Sequence, residues 1–190
     1  MSAITDSWIR RHRISVAEYY RMAEVGLLAQ DAQVELIDGE VIDMAPIGSR
    51  HAAVVDRLAR LLDRALGDSA VITTQRPLRL GTRSEPQPDV MILKPRADHY
   101  ANAHPEAADV LLVVEVSDAT LRYDRNIKVP LYAEHAIVEL WLIDLNARQL
   151  HRFTNPSGSG YGTAASLQGG SIGPAAMLGV QIDLGQILQL

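Results

Sequence analysis

The residues VLLVVEV at 110–116 form an almost unbroken apolar run that contains one glutamate. A strand solvated on one face alternates apolar with polar residues, whereas a strand covered on both faces reads as continuous apolar sequence. The run therefore predicts the centre of a sheet with layers on both sides, which places the chain in the mixed α/β class. It also isolates Glu115: burying an unpaired carboxylate costs several kcal/mol by rough estimate, so this side chain needs a positive partner or a cation.

The flanking sequence supplies the layers. Ser15-Val16-Ala17-Glu18 has capping-box spacing and predicts a helix over 15–25. VELIDGEVIDM places apolar-alternating runs on either side of Asp38-Gly39, a pair suited to a two-residue turn, and predicts a hairpin over 33–44. After Pro46 and Gly48, Ser49 is positioned to cap a helix whose Val54, Val55, Leu58, Leu61, Leu62 and Ala65 recur at helical steps. Its other face carries Arg57, Arg60 and Arg64 interleaved with Asp56 and Asp63, the pattern of a solvated surface.

Strands are expected at 70–80, 89–93, 110–116, 138–144 and 148–153, with a helix over 124–135. From Thr154 to Leu190 the only charged side chain is Asp183, and 8 of the 13 glycines fall there, so this part reads as hairpins and loops. The sum is an α/β (α+β) fold: a mixed central sheet flanked by helices, with extra β-hairpins. A chain of 190 residues, 47% hydrophobic, fits one domain. Within it we distinguish a helix and hairpin (13–45), a core (46–153) and a Gly-rich end (154–190).

Several chemistries are excluded. The chain has no cysteine, which removes thiolate metal sites, disulfides and cysteine nucleophiles. The net charge of -5 argues against binding nucleic acid by bulk electrostatics, so such contact must be local. No uncharged apolar stretch approaches the ~20 residues of a membrane span, and a cytoplasmic location is expected. There is no GxxxxGK[ST], no GxGxxG after a strand and no GxSxG, so no nucleotide cofactor is expected. His12, His99, His104, His135 and His151 lack HExxH spacing.

Pro88-Asp89 at a strand start, Glu115, and Lys128 on the following helix remain. If the strands at 89–93 and 110–116 are neighbours, Asp89 and Glu115 converge, and two carboxylates at one place favour a divalent cation with hard oxygen ligands, Mg2+ or Mn2+. Lys128, with Tyr132 one turn later, is placed to reach them; carboxylates, metal and lysine suit phosphodiester hydrolysis. Simpler roles exist for each. Asp89 is also a turn residue after proline, Glu115 a partner for an arginine, and Lys128 an i,i+4 partner of Asp124. Tyr132 and Trp141 occupy core periodic positions.

These elements resemble the active-site motifs of the PD-(D/E)XK nuclease superfamily, in the version with the lysine moved onto the next helix. More closely, VELIDGEVIDMAPIGSRHAAV, QPDVMIL and LLVVEVSDATLRYDRNIKVPLYAEHAIVELWLIDL resemble the Uma-type restriction-endonuclease family, over roughly residues 13–187. The resemblance implies a restriction-endonuclease-like fold, Asp89 and Glu115 as metal carboxylates, Lys128 as catalytic lysine, the backbone carbonyl of Val116 as a further ligand, and Glu35 at an early acidic position. Ser117 stands where the wider superfamily carries its lysine. His51, near a helix N-terminus, is a candidate phosphate contact. The expected function is Mg2+-dependent (or Mn2+-dependent) cleavage of DNA, by a homodimer because each chain has one site for two strands. The alternative is a non-catalytic nucleic-acid- or protein-binding module that retains the fold.

Overall fold

A computed structural model describes residues 11–29, 31–158 and 160–189. In chain order its elements are α1 (Val16–Glu24), β1 (Val34–Ile37), β2 (Glu40–Asp43), α2 (Ser49–Leu66), β3 (Val71–Thr74), β4 (Val90–Leu93) and β5 (Val110–Ser117). Then follow α3 (Leu121–Tyr123), a π-helical turn (Asp124–Lys128), α4 (Val129–Glu134), β6 (Glu139–Asp144), β7 (Gln149–Ser157), β8 (Gly160–Leu167), β9 (Ser171–Ile172), β10 (Ile182–Asp183) and α5 (Gly185–Leu188).

Six strands form one sheet in the order β3-β4-β5-β6-β7-β8. Only β5 and β6, its two middle strands, run parallel. A parallel neighbour requires a crossover. Here it is the continuous helical segment α3–π turn–α4, which puts Lys128 beside the strand that carries Glu115.

Side chains alternate between the two faces of β5, and each face has its own core. Leu112, Val114 and Val116, with Val90, Ile92, Trp141 and Ile143, pack under Val54, Val55, Leu58 and Leu62 of α2 and Ile187 and Leu188 of α5. Val113, with Met91, Leu93, Leu140 and Leu142, packs under Val129, Leu131 and Tyr132 and against Ile37, Leu78 and Leu80. Both faces of β5 are covered, as its unbroken apolar sequence requires.

Several boundaries differ from the sequence-based expectation for physical reasons. The strand expected over 70–80 ends at Thr74, because Gln75 has a φ of 48° and turns its N–H to the carbonyls of Pro88 and Asp89. Leu78 and Leu80, apolar as strand residues would be, instead plug the second core from a loop. Ser49 is not the cap of α2; Gly48 occupies that position with no side-chain hydrogen bond. Ala65 is exposed. The crossover helix starts at Leu121, three residues before the expected 124. β7 continues to Ser157 and forms a long hairpin with β8, so part of the uncharged C-terminal stretch extends the main sheet. Its last turn, α5, packs on α2.

Two local devices match the sequence. The Ser15–Glu18 capping box is present in both directions. Asp38 and Gly39 take φ values of 44° and 75°, the left-handed pair that a two-residue hairpin turn demands. At Gly39 a side chain has no room either: a Cβ there would lie 2.7 Å from Arg13 Cβ and 2.9 Å from the Ile14 carbonyl oxygen. Gly39→Ala should therefore lower stability by about 2 kcal/mol or more, from backbone strain plus overpacking, read as a reduced urea midpoint at unchanged slope.

Candidate active site

Asp89 stands one residue before β4, and β4 pairs with β5 through Val90 and Val114. Val116 therefore lies past the end of β4, where its N–H has no strand partner on that side. It donates instead to Asp89 Oδ2 at 2.7 Å. The same oxygen meets His51 Nε2, from the first turn of α2, at 3.1 Å.

Glu115 projects onto the opposite face, under the crossover helix. Its Oε1 accepts a hydrogen bond from the Tyr132 hydroxyl at 2.5 Å and lies 3.3 Å from Lys128 Nζ. Lys128 and Tyr132 are four residues apart and share a helix face, which lets both reach one carboxylate oxygen. Lys128 Nζ also lies 3.2 Å from Glu35 Oε2, and the side chains of both are under 10% exposed, at 8% and 4%. Glu35 additionally accepts from the Gln87 N–H at 3.3 Å. The ammonium thus joins β1, β5 and the π-helical turn, a distortion that in proteins frequently marks functional positions.

Asp124, on the same turn, is buried and does not form the expected i,i+4 ion pair with Lys128. Its Oδ2 accepts from the hydroxyls of Ser117 and Thr120, each at 2.7 Å. Ser117 is accordingly a buried anchor for the π-helical turn.

Glu35, His51, Asp89, Glu115, Val116, Tyr123, Asp124 and Lys128 line one cleft of ≈ 350 Å³ at the end of β5. Among the described residues, every hydrogen bond to the Asp89 carboxylate falls on Oδ2 and every one to the Glu115 carboxylate on Oε1. Among the described residues, Asp89 Oδ1 and Glu115 Oε2 have no partner. His51 Nδ1 and Tyr123 Oη, on the cleft wall, are also buried without one.

Four carboxylates surround one ammonium, and protonation reflects it. Burial pushes Glu115 up to about 8; Lys128 opposes this, Asp89 and Asp124 add to it, and the Tyr132 hydrogen bond lowers it slightly. Burial works against the charge on Lys128, yet Glu115 and Glu35, then Asp124 and Asp89, outweigh it and hold the ammonium above its ordinary value. The hydrogen bond to Asp89 raises His51 against the opposing effect of burial.

The fold brings Glu35, His51, Asp89, Glu115, Val116 and Lys128 to one cleft. Among the described residues, however, no three His, Asp or Glu side chains group as a metal cage. Gln87 and Tyr123 are not singled out by sequence; Asp124 is, but as an i,i+4 partner of Lys128 rather than as the acceptor from Ser117 and Thr120. Tyr132 is both core and site, fully buried with its hydroxyl on Glu115. Trp141 is core only, donating to Glu139. Arg57, Arg60 and Arg64 are exposed on the outer face of α2, and among the described residues none forms an ion pair with Asp56 or Asp63.

Comparison with known proteins places the chain beside a family model and solved structures. The model of a family described as Uma2, putative restriction endonuclease, matches residues 16–185. Among solved structures, a putative nuclease belonging to DUF820 from Anabaena variabilis superposes with a TM-score of 0.73 at 14% identity, covering 93% of this chain and 98% of that one. At that identity the likeness shows a shared fold. No curated protein matches. No helix among the described residues is long and apolar enough to cross a membrane.

The raised Glu115 has a measurable consequence. Its folded value, about 8, exceeds the 4.5 of an ordinary glutamate, so the folded state holds this proton more tightly. The stabilisation is complete below about pH 4.5 and is lost as pH rises through about 8. The urea midpoint of the metal-free protein should fall across that interval, and Glu115→Gln should flatten the fall relative to wild type.

Proposed function

The chain belongs to the Uma2 family of restriction-endonuclease-like proteins, and on that premise we propose that it is a metal-dependent endonuclease hydrolysing phosphodiester bonds in DNA. One observation carries the proposal: Asp89 and Glu115 reach the same cleft with one unengaged oxygen each, beside a buried lysine.

The donor set suits magnesium or manganese. Magnesium is commonly held by one or two carboxylates, with water and substrate phosphate oxygens completing its shell. Two carboxylates therefore suffice where the described residues hold no three-side-chain cage, with the Val116 carbonyl as a further oxygen at the cleft wall. The surplus of negative charge around Lys128 favours the same ion. When bound, such an ion polarises the phosphodiester and lowers the pKa of water.

The chain's own residues do the rest. Val116 N–H and His51 fix Asp89 by its Oδ2, which aims Oδ1 at the cleft. Tyr132 and Lys128 fix Glu115 in the same way by Oε1. Lys128 has three donors, and two can face Glu35 and Glu115, whose oxygens lie 3.2 and 3.3 Å from its Nζ. The third is available to orient an attacking water or to meet the charge that develops on a phosphate oxygen. His51 Nδ1 and Tyr123 Oη are further polar atoms for substrate or water. Cutting both strands of a duplex with one site per chain is simplest for a homodimer.

Calorimetry should detect Mn2+ binding to wild type and none to Asp89→Asn or Glu115→Gln, and only wild type should nick supercoiled plasmid with Mg2+. Lys128→Met, compared at a temperature where circular dichroism shows it folded, should lose nicking by about 10²-fold or more. Plasmid nicking by Asp89→Asn at the wild-type rate would overturn the assignment. Metal binding with no nicking of any DNA would favour the non-catalytic module.

A further inference from the structure

Register places four residues in one row across the sheet. Glu115 pairs with Leu142, Leu142 with His151, and His151 with Ser166, so all four share the face of the cleft. The row begins buried at Glu115 and ends exposed at Ser166.

Arg125, on the turn that carries Lys128, lies over the outer end of this row. Its Nη2 donates to His151 Nε2 at 2.8 Å, and His151 Nδ1 meets Ser166 Oγ at 2.8 Å. For Nε2 to accept, the imidazole must be neutral with its proton on Nδ1, donated to Ser166. Burial and the adjacent Arg125 both lower the His151 pKa, with Asp144 opposing, which favours that neutral form.

The arrangement is unusual for a surface arginine. A carboxylate would hold the guanidinium and cancel its charge; a neutral histidine holds it and leaves the charge intact. Among the described residues no carboxylate lies within 4.0 Å of Arg125. Arg122, one turn earlier, and Arg148, at the turn after β6, are also exposed and unpaired by the same measure. In a chain of net charge -5, Arg125 is thus an exposed cation without a carboxylate partner, with Asp144 the acidic group that acts on its histidine. A neutral tether adds little stability at an exposed site, so its physical effect is to pre-organise a cation.

We propose that Arg125, tethered by His151 and Ser166, is a backbone anchor for the nucleic-acid strand, gripping a phosphate beside the bond presented to Asp89 and Glu115. The inference rests on the nuclease reading. His151 lies two strands from Glu115, roughly 10 Å at the usual strand spacing. Each strand of duplex DNA carries a phosphate per ~3.4 Å of axis, so the anchored group lies within about three steps of the one cut. Arginine suits the role because its planar fork matches two phosphate oxygens.

The test is binding of a fluorescent DNA duplex by anisotropy, with calcium in place of magnesium, from about 50 to 200 mM NaCl. Arg125→Ala should weaken binding about tenfold and reduce the slope of log affinity against log salt by about one. His151→Ala should weaken it several-fold, and His151→Gln, whose amide oxygen can still accept, should restore most of the loss. Mn2+ affinity and thermal midpoint should stay at wild-type values in Arg125→Ala, which separates an anchor from damage to the cleft or fold. An unchanged affinity and salt slope in Arg125→Ala, or no duplex binding by wild type, would overturn the anchor. Arg125-dependent binding by a wild type that nicks no DNA would uphold the anchor and overturn the nuclease assignment instead.

Discussion

The buried ammonium of Lys128 is the interaction on which the rest of the site depends. It lies within 3.3 Å of carboxylates from two separate elements, the β1–β2 hairpin and the central strand β5. Removing one partner from a buried pair typically costs about 3–5 kcal/mol, because the remaining charge is stranded away from water. With Lys128 absent, the buried Glu35 would lose its ammonium partner and Glu115 the group that opposes its burial. The lysine therefore clamps the hairpin to the sheet and at the same time confines Glu115 to one orientation.

The same economy of contacts leaves carboxylate oxygens unengaged on the cleft. Asp89 and Glu115 each use one oxygen for internal contacts and keep the other clear. The internal contacts come from groups of different character: a backbone N–H and an imidazole for Asp89, a phenol and an ammonium for Glu115. Asp124 extends the arrangement, since its bonds to Ser117 and Thr120 tie the π-helical turn to the end of β5. The site is thus built where β5 ends beside the start of β4, next to a helix whose regular turn is broken.

Much of this is legible in the amino-acid sequence. Glu115 stands out because six of the seven residues in its run are apolar. Asp89 and Lys128 are recognisable through their order and through family resemblance. Glu35 is harder: alternation in a hairpin strand points it to water, yet all four residues of β1 are buried, with Tyr19, Gln87 and Lys128 reaching that strand from separate parts of the chain. The segment at 75–80 reads as strand because its leucines are apolar, but periodicity reports burial rather than backbone shape, and the leucines are buried from a loop. The tether of Arg125, His151 and Ser166 has no sequence signal, since its members are 26 and 15 residues apart.

The sequence by itself determined the features that depend on near neighbours. These are the central strand, the hairpin turn at Asp38-Gly39, the capped first helix and the presence of two acids and a lysine in a recognised order. Each follows from local sterics, periodicity or the cost of burying a charge. Only the tertiary structure decided which charges meet, because contacts between Glu35, Glu115 and Lys128, or between Asp89, His51 and Val116, depend on strand register and on the crossover that sets β5 beside β6. Charge pairing across a fold is a matter of distances in space, and those distances are fixed by packing among residues far apart in the chain.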